Sequence, residues 1–326
     1  MSTSGGTKAI IAALFANIGI AISKFVAFLL TGSSSMLAES VHSVADSGNQ
    51  ALLLVGGKRA ARAATPEHPF GYGRERYIYA FIVSIVLFSV GGLFALYEGY
   101  HKITEPEPLV SPLIAIGVLV VAIGLEAYSF RTAIVESNKV RGKQSWIQFI
   151  RHAKAPELPV VLLEDFGAQV GLILALIGVG LSTITGDGIW DGIGTVCIGV
   201  LLVLIAIILA VETKSLLLGE AAGVEAQRRI VEAMESQPGV ESVIHMRTLH
   251  LGPEELLVAA KISIKTELSA SDLVTAIDGA EERVRAAEPF ARVIYLEPDF
   301  RRTNDSPDQP SIPPAARDSG VGTAKP

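Results

Sequence analysis

Six apolar stretches of about 20 residues dominate the sequence, at approximately 9–31, 36–57, 77–99, 109–130, 158–181 and 190–212. A helix needs about 20 residues to cross the roughly 30 Å of hydrocarbon in a bilayer. Half of all residues are hydrophobic and only 18% are charged, a composition typical of membrane proteins. The first stretch is too long for a signal peptide and lacks a clear cleavage site. The pattern predicts an all-α bundle of six transmembrane helices over residues 1–213.

Basic residues are concentrated in two of the connecting loops, 58–76 and 131–157. The loops on the opposite side hold few: TGSSS and STITGDGIWDG have none, and HKITEPEPLVS has Lys102 alone. Basic residues accumulate in cytoplasmic loops of membrane proteins. We therefore expect an integral, multi-pass membrane protein with both termini in the cytoplasm, in a bacterial plasma membrane.

Charged residues return beyond residue 213, which predicts a small cytoplasmic α+β domain over residues 214–300. Its periodicity and turn residues indicate the order α-β-β-α-β. One antiparallel sheet with helices on one face would bury that pattern. Residues 301–326 are rich in Pro, Ser, Gly and charge, and we expect a disordered tail. Cys197 is the single cysteine, which excludes an internal disulfide, and nucleic acid is not an expected partner.

The stretch ESVHSVADSGNQ places ionisable groups inside the second span. Glu39, His42, Asp46 and Asn49 follow one another at spacings of three and four, which puts them on one face of a helix. A charge at mid-bilayer costs about 2.5–3.5 kcal/mol on insertion scales, so this face must look into the bundle or a watery cavity. Two interpretations are open: a hydrogen-bonded seam between helices, or a divalent-metal site built on His42 and Asp46.

The fifth span supplies matching carboxylates in PVVLLEDFGAQVG. Adjacent residues point about 100° apart, so only one of Glu164 and Asp165 faces the second span squarely. Asp165 is our first choice as ligand. Glu164 is either a further ligand, a group that carries protons or orients the ligands, or the partner of a basic residue such as Lys154. Further groups for proton transfer or ligand orientation are Glu39, Asn49, Gln169 and Glu126, although Glu126 equally fits the cytoplasmic end of its helix.

The chain resembles the cation diffusion facilitators over about residues 8–298, in its six spans, its basic loops and its carboxy-terminal domain. The resemblance implies transport ligands at His42, Asp46 and Asp165. The fourth ligand position of the family falls on Val161, which cannot bind a metal, and Glu164 is the obvious replacement. The ESVHSVADSGNQ and LLED combination looks like the divergent subgroup related to the mitochondrial zinc transporter. The family's soluble domain has a metallochaperone-like, ferredoxin-like fold that forms dimers, so the resemblance implies a homodimer.

Accessory metal sites of the family have weak counterparts in this chain. The loop PEHPFGYGRERY resembles the family signature HPFGHGR, with Tyr72 at its second histidine, which leaves His68 and Glu67. In the soluble domain the resemblance points to His245 and Glu297, with His250 as a substitute donor. Other ligand positions of the family hold Lys261 and Tyr295.

These features predict a proton-coupled antiporter that moves a divalent cation, above all Zn²⁺, out of the cytoplasm. Mn²⁺, Fe²⁺ or Co²⁺ would also suit an oxygen-rich site with one histidine. The expected partners are the metal ion, protons, membrane lipid and a second copy of the chain, with no organic cofactor. Two other classes stay open: a membrane sensor or interaction protein that no longer transports, and a membrane enzyme. The absence of a nucleophile motif argues against the enzyme.

Overall fold

The computed structural model describes residues 3–300, with side chains from Asn17 onward. The predicted disordered tail, residues 301–326, lies outside the described residues. The chain divides into two compact units. One holds the chain up to Arg62 together with Glu75–Leu217, and the other holds Ala63–Arg74 together with the chain from Leu218 onward.

The first unit is entirely helical over its described residues. A π-helical segment, Leu87–Leu93, joins α3 to α4 in one continuous helical stretch. The helices in chain order are α1 (Thr3–Thr31), α2 (Ser34–Ala60), α3 (Glu75–Val86), α4 (Phe94–Thr104), α5 (Pro112–Arg141), α6 (Trp146–His152), α7 (Glu157–Thr185) and α8 (Ile189–Leu218).

Four helical stretches in the described part of the chain are long and apolar enough to cross a membrane. They are Glu75–Thr104, Pro112–Arg141, Glu157–Thr185 and Ile189–Leu218. The apolar part of α1 with described side chains is the shorter stretch Asn17–Thr31. Helix α2 is rich in Ser and carries Glu39, His42 and Asp46, which lower its hydropathy. The membrane bundle is therefore mostly helical as predicted, and six spans stay a prediction.

Helix α2 is surrounded by other helices, which explains how it holds so many polar residues. It packs against α1, α3, the π-helical segment, α4 and α7. Its buried polar residues include Glu39, His42 and Asn49, each about 0% exposed. Polar groups at this depth must be hydrogen-bonded, paired or hydrated, because lipid offers them no partner.

The amino-terminal end of α2 is fixed to α8 by one buried carboxylate. Asp191 Oδ1 accepts a hydrogen bond from Ser33 Oγ at 2.9 Å, and its Oδ2 accepts from the backbone N of Ser34 at 2.7 Å. The Ser34 hydroxyl also donates to Oδ2, at 3.1 Å. A carboxylate at a helix amino terminus satisfies free N–H groups and complements the helix dipole. The sequence SSS and Asp191 therefore set where α2 begins.

Glycines allow α4 and α8 to approach closely. A Cβ on Gly99 would lie 2.7 Å from the backbone N of Val196 and 2.9 Å from the carbonyl O of Gly192. On the facing helix, a Cβ on Gly199 would lie 2.8 Å from the backbone N of Leu96. Small residues at such crossings bring helix backbones into van der Waals contact within membranes.

The second unit contains the α-β-β-α-β order that the sequence predicts. It comprises α9 (Val224–Glu235), β1 (Val240–Gly252), β2 (Glu255–Ile264), α10 (Ala270–Ala287) and β3 (Ala291–Asp299). The sheet order is β1-β2-β3, with β1 antiparallel and β3 parallel to β2. The prediction of a fully antiparallel sheet is wrong. Helix α10 is a crossover connection that returns the chain to the end of the sheet at which β2 began, so β3 runs parallel to β2.

The Gly99→Ala substitution should lower the stability of the helical unit. The added methyl group would meet the backbone of α8, and overpacking of this kind costs about 1–3 kcal/mol. Gly117→Ala is the matched control, because no heavy atom outside its own stretch of helix lies within 4 Å of the position of its Cβ. We expect a lower melting temperature for detergent-solubilised Gly99→Ala and an unchanged or higher one for Gly117→Ala. Equal melting temperatures for the two variants would contradict the close approach.

Candidate metal centre

The polar face of α2 is built as the spacing predicts. His42 lies one turn before Asp46, and its Nδ1 is 3.5 Å from Asp46 Oδ1. The His42 side chain is 1% exposed and that of Asp46 is 15% exposed. Glu39 and Asn49 continue the same face, one turn before His42 and one turn after Asp46. The face is therefore a continuous row of potential metal donors and proton acceptors.

The two adjacent carboxylates of α7 are bound by different helices. Asn49 Nδ2 of α2 donates a hydrogen bond to Glu164 Oε1 at 2.6 Å. Ser129 Oγ of α5 donates to Asp165 Oδ2 at 3.0 Å. Both carboxylates are buried, at 4% and 7% exposed. Glu164 is thus tied to the polar face of α2, whereas the sequence had favoured Asp165 for that position.

Several buried polar atoms along α2 and α7 have no hydrogen-bond partner among the described residues. They are both ring nitrogens of His42, Asp46 Oδ1, Asn49 Oδ1, Gln169 Oε1, Glu39 Oε1 and, at the start of α7, Glu157 Oε2. A buried polar atom without a partner costs about 1–3 kcal/mol, so proteins rarely keep a group of them without a ligand, an ion or water. Apart from Glu157, which is bound by Arg76, these residues are the ones that the sequence selects as ligands or as groups around the ligands.

The π-helical segment of the third span lies beside His42. A Cβ on Gly91 would be 3.8 Å from His42 Nδ1. Because glycine has no side chain, this side of the imidazole is left uncovered. Short π-helical segments inside α-helices occur frequently at functional sites. The third span was not among the predicted elements of the site, although the adjacent glycines Gly91 and Gly92 could have indicated it.

Val161 is apolar in its surroundings as well as in its side chain. It packs against a small cluster of buried residues, Ala133, Phe149 and Leu162.

Glu126 is half-buried on α5, three residues before Ser129. Within residues 17–300 no three His, Cys, Asp or Glu side chains come together closely enough to hold a metal ion. The donors therefore lie along facing helices without converging on a single point.

A buried lysine on α1 belongs to this region, although it was not among the predicted site residues. Lys24 Nζ lies 3.0 Å from Glu39 Oε2 and donates a hydrogen bond to Ser43 Oγ at 2.8 Å. The position of Lys24 inside the apolar run 9–31 could have indicated this role. A charged side chain within a membrane has a high free-energy cost, and such residues are usually functional.

The residues proposed for accessory metal binding have other contacts in the second unit. The His68 ring meets Tyr72 edge-on, with 4.7 Å between ring centres. His245 pairs with Lys261 across β1 and β2, and Lys261 Nζ lies 3.0 Å from both Glu297 Oε1 and Asp299 Oδ2. The hydrogen bond to Glu297 raises the pKa of Lys261 most, and the hydrogen bond to Asp299 raises it further. An ammonium group therefore binds Glu297, while Glu67 is exposed and His250 is buried on β1.

Comparison with known proteins finds a family match for the helical part of the chain and relatives over most of its length. Residues 10–218 match the family described as the cation efflux transmembrane domain. The chain is 31% identical over 265 residues to "Proton-coupled zinc antiporter SLC30A9, mitochondrial" of Xenopus laevis, which covers 80% of this chain and 47% of that protein. It is 28% identical over 237 residues to the magnetosome protein MamM of Magnetospirillum gryphiswaldense, covering 69% and 67%.

A solved structure of a MamM carboxy-terminal domain variant is 26% identical to this chain. The match covers 24% of this chain and 93% of that one, with a TM-score of 0.23. The chain spans less than half the length of the mitochondrial zinc antiporters that it matches.

Asn49→Leu should destabilise the helical unit. The substitution removes the amide that donates to Glu164 and leaves a buried carboxylate oxygen without that partner, which costs about 1–3 kcal/mol. Asn138→Leu is the control, because exposed Asn138 accepts hydrogen bonds only on the helix surface, from Arg141. Thermal unfolding in detergent should show a lower melting temperature for Asn49→Leu alone. A similar effect of both variants would argue against a specific α2–α7 contact.

Lys261→His should add a zinc site to the second unit. The substitution removes the ammonium group from Glu297 and places an imidazole between His245 and Glu297, so that three donors occupy neighbouring strands. Lys265→His, at an exposed position just beyond β2, adds a histidine without such neighbours. Zinc bound per full-length chain, measured by equilibrium dialysis, should rise by about one ion only in Lys261→His. An unchanged stoichiometry would contradict this arrangement of side chains.

Proposed function

The chain belongs to the cation efflux family, and we propose that it is a proton-coupled antiporter that moves divalent cations, with Zn²⁺ as its main substrate. It would export the ion from the cytoplasm across a bacterial plasma membrane, with both termini in the cytoplasm. Support for zinc comes from the named activity of the mitochondrial relatives and from the one histidine among the donors.

The observation that carries this proposal is the buried group of unsatisfied donors on α2 beside the carboxylates of α7. Neither ring nitrogen of His42 nor Oδ1 of Asp46 has a hydrogen-bond partner among the described residues. Imidazole and carboxylate groups bind a metal ion only when deprotonated, so protons and metal compete for the same atoms. Loading of the ion would displace protons, and their return would release it.

Transport requires that this site be exposed to each side of the membrane in turn. Secondary transporters achieve this by rocking groups of helices around a site near the middle of the bilayer. The donors lie on helices joined by few polar contacts, Asn49 to Glu164 and Ser129 to Asp165. A relative movement of α2 and α7 would bring His42, Asp46, Glu164 and Asp165 around one ion. Asp165 stays our proposed ligand on this basis, with Glu164 in place of the ligand missing at Val161.

Oxygen donors outnumber nitrogen donors in this set, which affects ion choice. Zinc accepts a mixed site of imidazole and carboxylate, and Mn²⁺, Fe²⁺ and Co²⁺ tolerate the same donors. The proposal therefore includes transport of these ions at lower preference. No organic cofactor and no enzymatic step enter it. The soluble unit would join two copies of the chain through its sheet.

A second candidate function is a membrane sensor or interaction protein that no longer transports. The apolar packing of Val161 at a ligand position of the family supports it. A folded protein that binds divalent ions without releasing protons across a membrane would favour this alternative.

Metal-dependent proton flux should depend on Asp46 and Asp165. We expect zinc added outside proteoliposomes to change the signal of an internal pH-sensitive dye, and Asp46→Asn or Asp165→Asn to reduce the change to background, because each removes a charged donor. Manganese, iron(II), cobalt and magnesium added in parallel would rank the substrates.

Glu136→Gln is the matched control for these variants. It removes an exposed carboxylate of α5 that pairs with Lys139, and it should transport as the wild-type protein does. Undiminished flux in Asp46→Asn would contradict the proposed site.

A further inference from the structure

We propose that Lys24 withholds the Glu39 carboxylate from the transported ion and so determines which divalent cation the site prefers. This inference rests on the proposed function, and it concerns a residue pair outside the proposed ligand set. Both members are buried, with side chains 1% and 0% exposed. In the membrane-spanning part of the chain, such a pair needs a reason beyond stability, because replacing a buried ion pair with apolar residues is often neutral or stabilising.

Glu39 is otherwise suitably placed to become a ligand. It precedes His42 by three residues, so the two side chains share the polar face of α2. Its Oε1 has no hydrogen-bond partner among the described residues. The same oxygen lies beside α7, because a Cβ on Gly171 would be only 2.5 Å from it. The absence of a side chain at Gly171 therefore leaves room for the carboxylate between α2 and α7.

Lys24 occupies the other oxygen and anchors the carboxylate to α1. The ammonium group contacts Glu39 Oε2 at 3.0 Å and Ser43 Oγ at 2.8 Å, on two successive turns of α2. The pair is electrically neutral, so Glu39 adds no net charge to the site while Lys24 is present. The ligand set is then limited to one imidazole and the carboxylates of Asp46, Glu164 and Asp165.

Removal of the ammonium group would reverse this balance. A buried carboxylate without a counter-ion is costly, and the transported cation would be the available source of positive charge. One additional oxygen donor shifts a site toward ions that favour oxygen, such as Mn²⁺, and away from Zn²⁺. A more negative site also binds its ion more tightly, which slows release.

The test compares Lys24→Met, Glu39→Gln and the double variant in proteoliposomes and in binding titrations with zinc and with manganese. Residues around a metal site typically change its affinity by about 10–100-fold, so we expect Lys24→Met to raise the manganese-to-zinc affinity ratio by about tenfold. Glu39→Gln should leave the ratio near the wild-type value. The double variant should also return to it, because the carboxylate that Lys24→Met would release is no longer present.

Lys102→Met is the matched control for the loss of a buried lysine. Its ammonium group is buried and donates to the carbonyl O of Gly32 at 3.1 Å, with no carboxylate in that contact. We expect it to keep the wild-type ion ratio even where it lowers the melting temperature.

Four results separate the explanations. Wild-type protein that binds and moves no divalent ion would contradict the proposed function itself. Wild-type transport combined with an unchanged ion ratio in Lys24→Met would overturn the role of Lys24 alone. A shifted ratio that the added Glu39→Gln substitution does not restore would also overturn it, because the effect would then not pass through Glu39. Recovery of the melting temperature in the double variant without any change in ion ratio would leave a purely structural ion pair.

Discussion

Burial of ionisable side chains inside an apolar helix bundle is the constraint on which the rest of this structure depends. Every such group needs a partner within the protein, since the bilayer provides none. Helix α2 meets this requirement from three directions. Lys24 of α1 neutralises Glu39, Asn49 of α2 itself binds Glu164 of α7, and Asp191 of α8 binds the serines that begin the helix. The position of α2 is therefore set by polar contacts as much as by apolar packing.

Asp191 and His42 differ in how their buried polar atoms are satisfied. Both side chains are fully buried. Asp191 accepts hydrogen bonds on both oxygens from Ser33 and Ser34, so its cost is offset within the fold. His42 has no hydrogen-bond partner at either nitrogen among the described residues. A buried imidazole without hydrogen bonds calls for an ion, a ligand or water as its partner, and our proposal assigns this place to the transported cation.

Much of the site could be predicted because helical periodicity is a local property. Spacings of three and four put Glu39, His42, Asp46 and Asn49 on one face of α2, and the structure has them there. The sequence also predicted the order of elements in the soluble unit. The direction of β3 was not predictable in the same way, because it depends on how α10 crosses the sheet rather than on the pattern within the strand.

The sequence by itself determined that the chain is a membrane helix bundle with a small α+β unit. The length of each apolar stretch and the spacing of apolar residues within it depend only on residues that are consecutive in the chain. It also determined which donors share a helix. Only the tertiary structure decided which polar side chains meet across helices: Glu164 with Asn49, Asp165 with Ser129 and Glu39 with Lys24. Such pairings depend on the rotation and depth of each helix against its neighbours, and these are fixed by close packing between residues far apart in the chain.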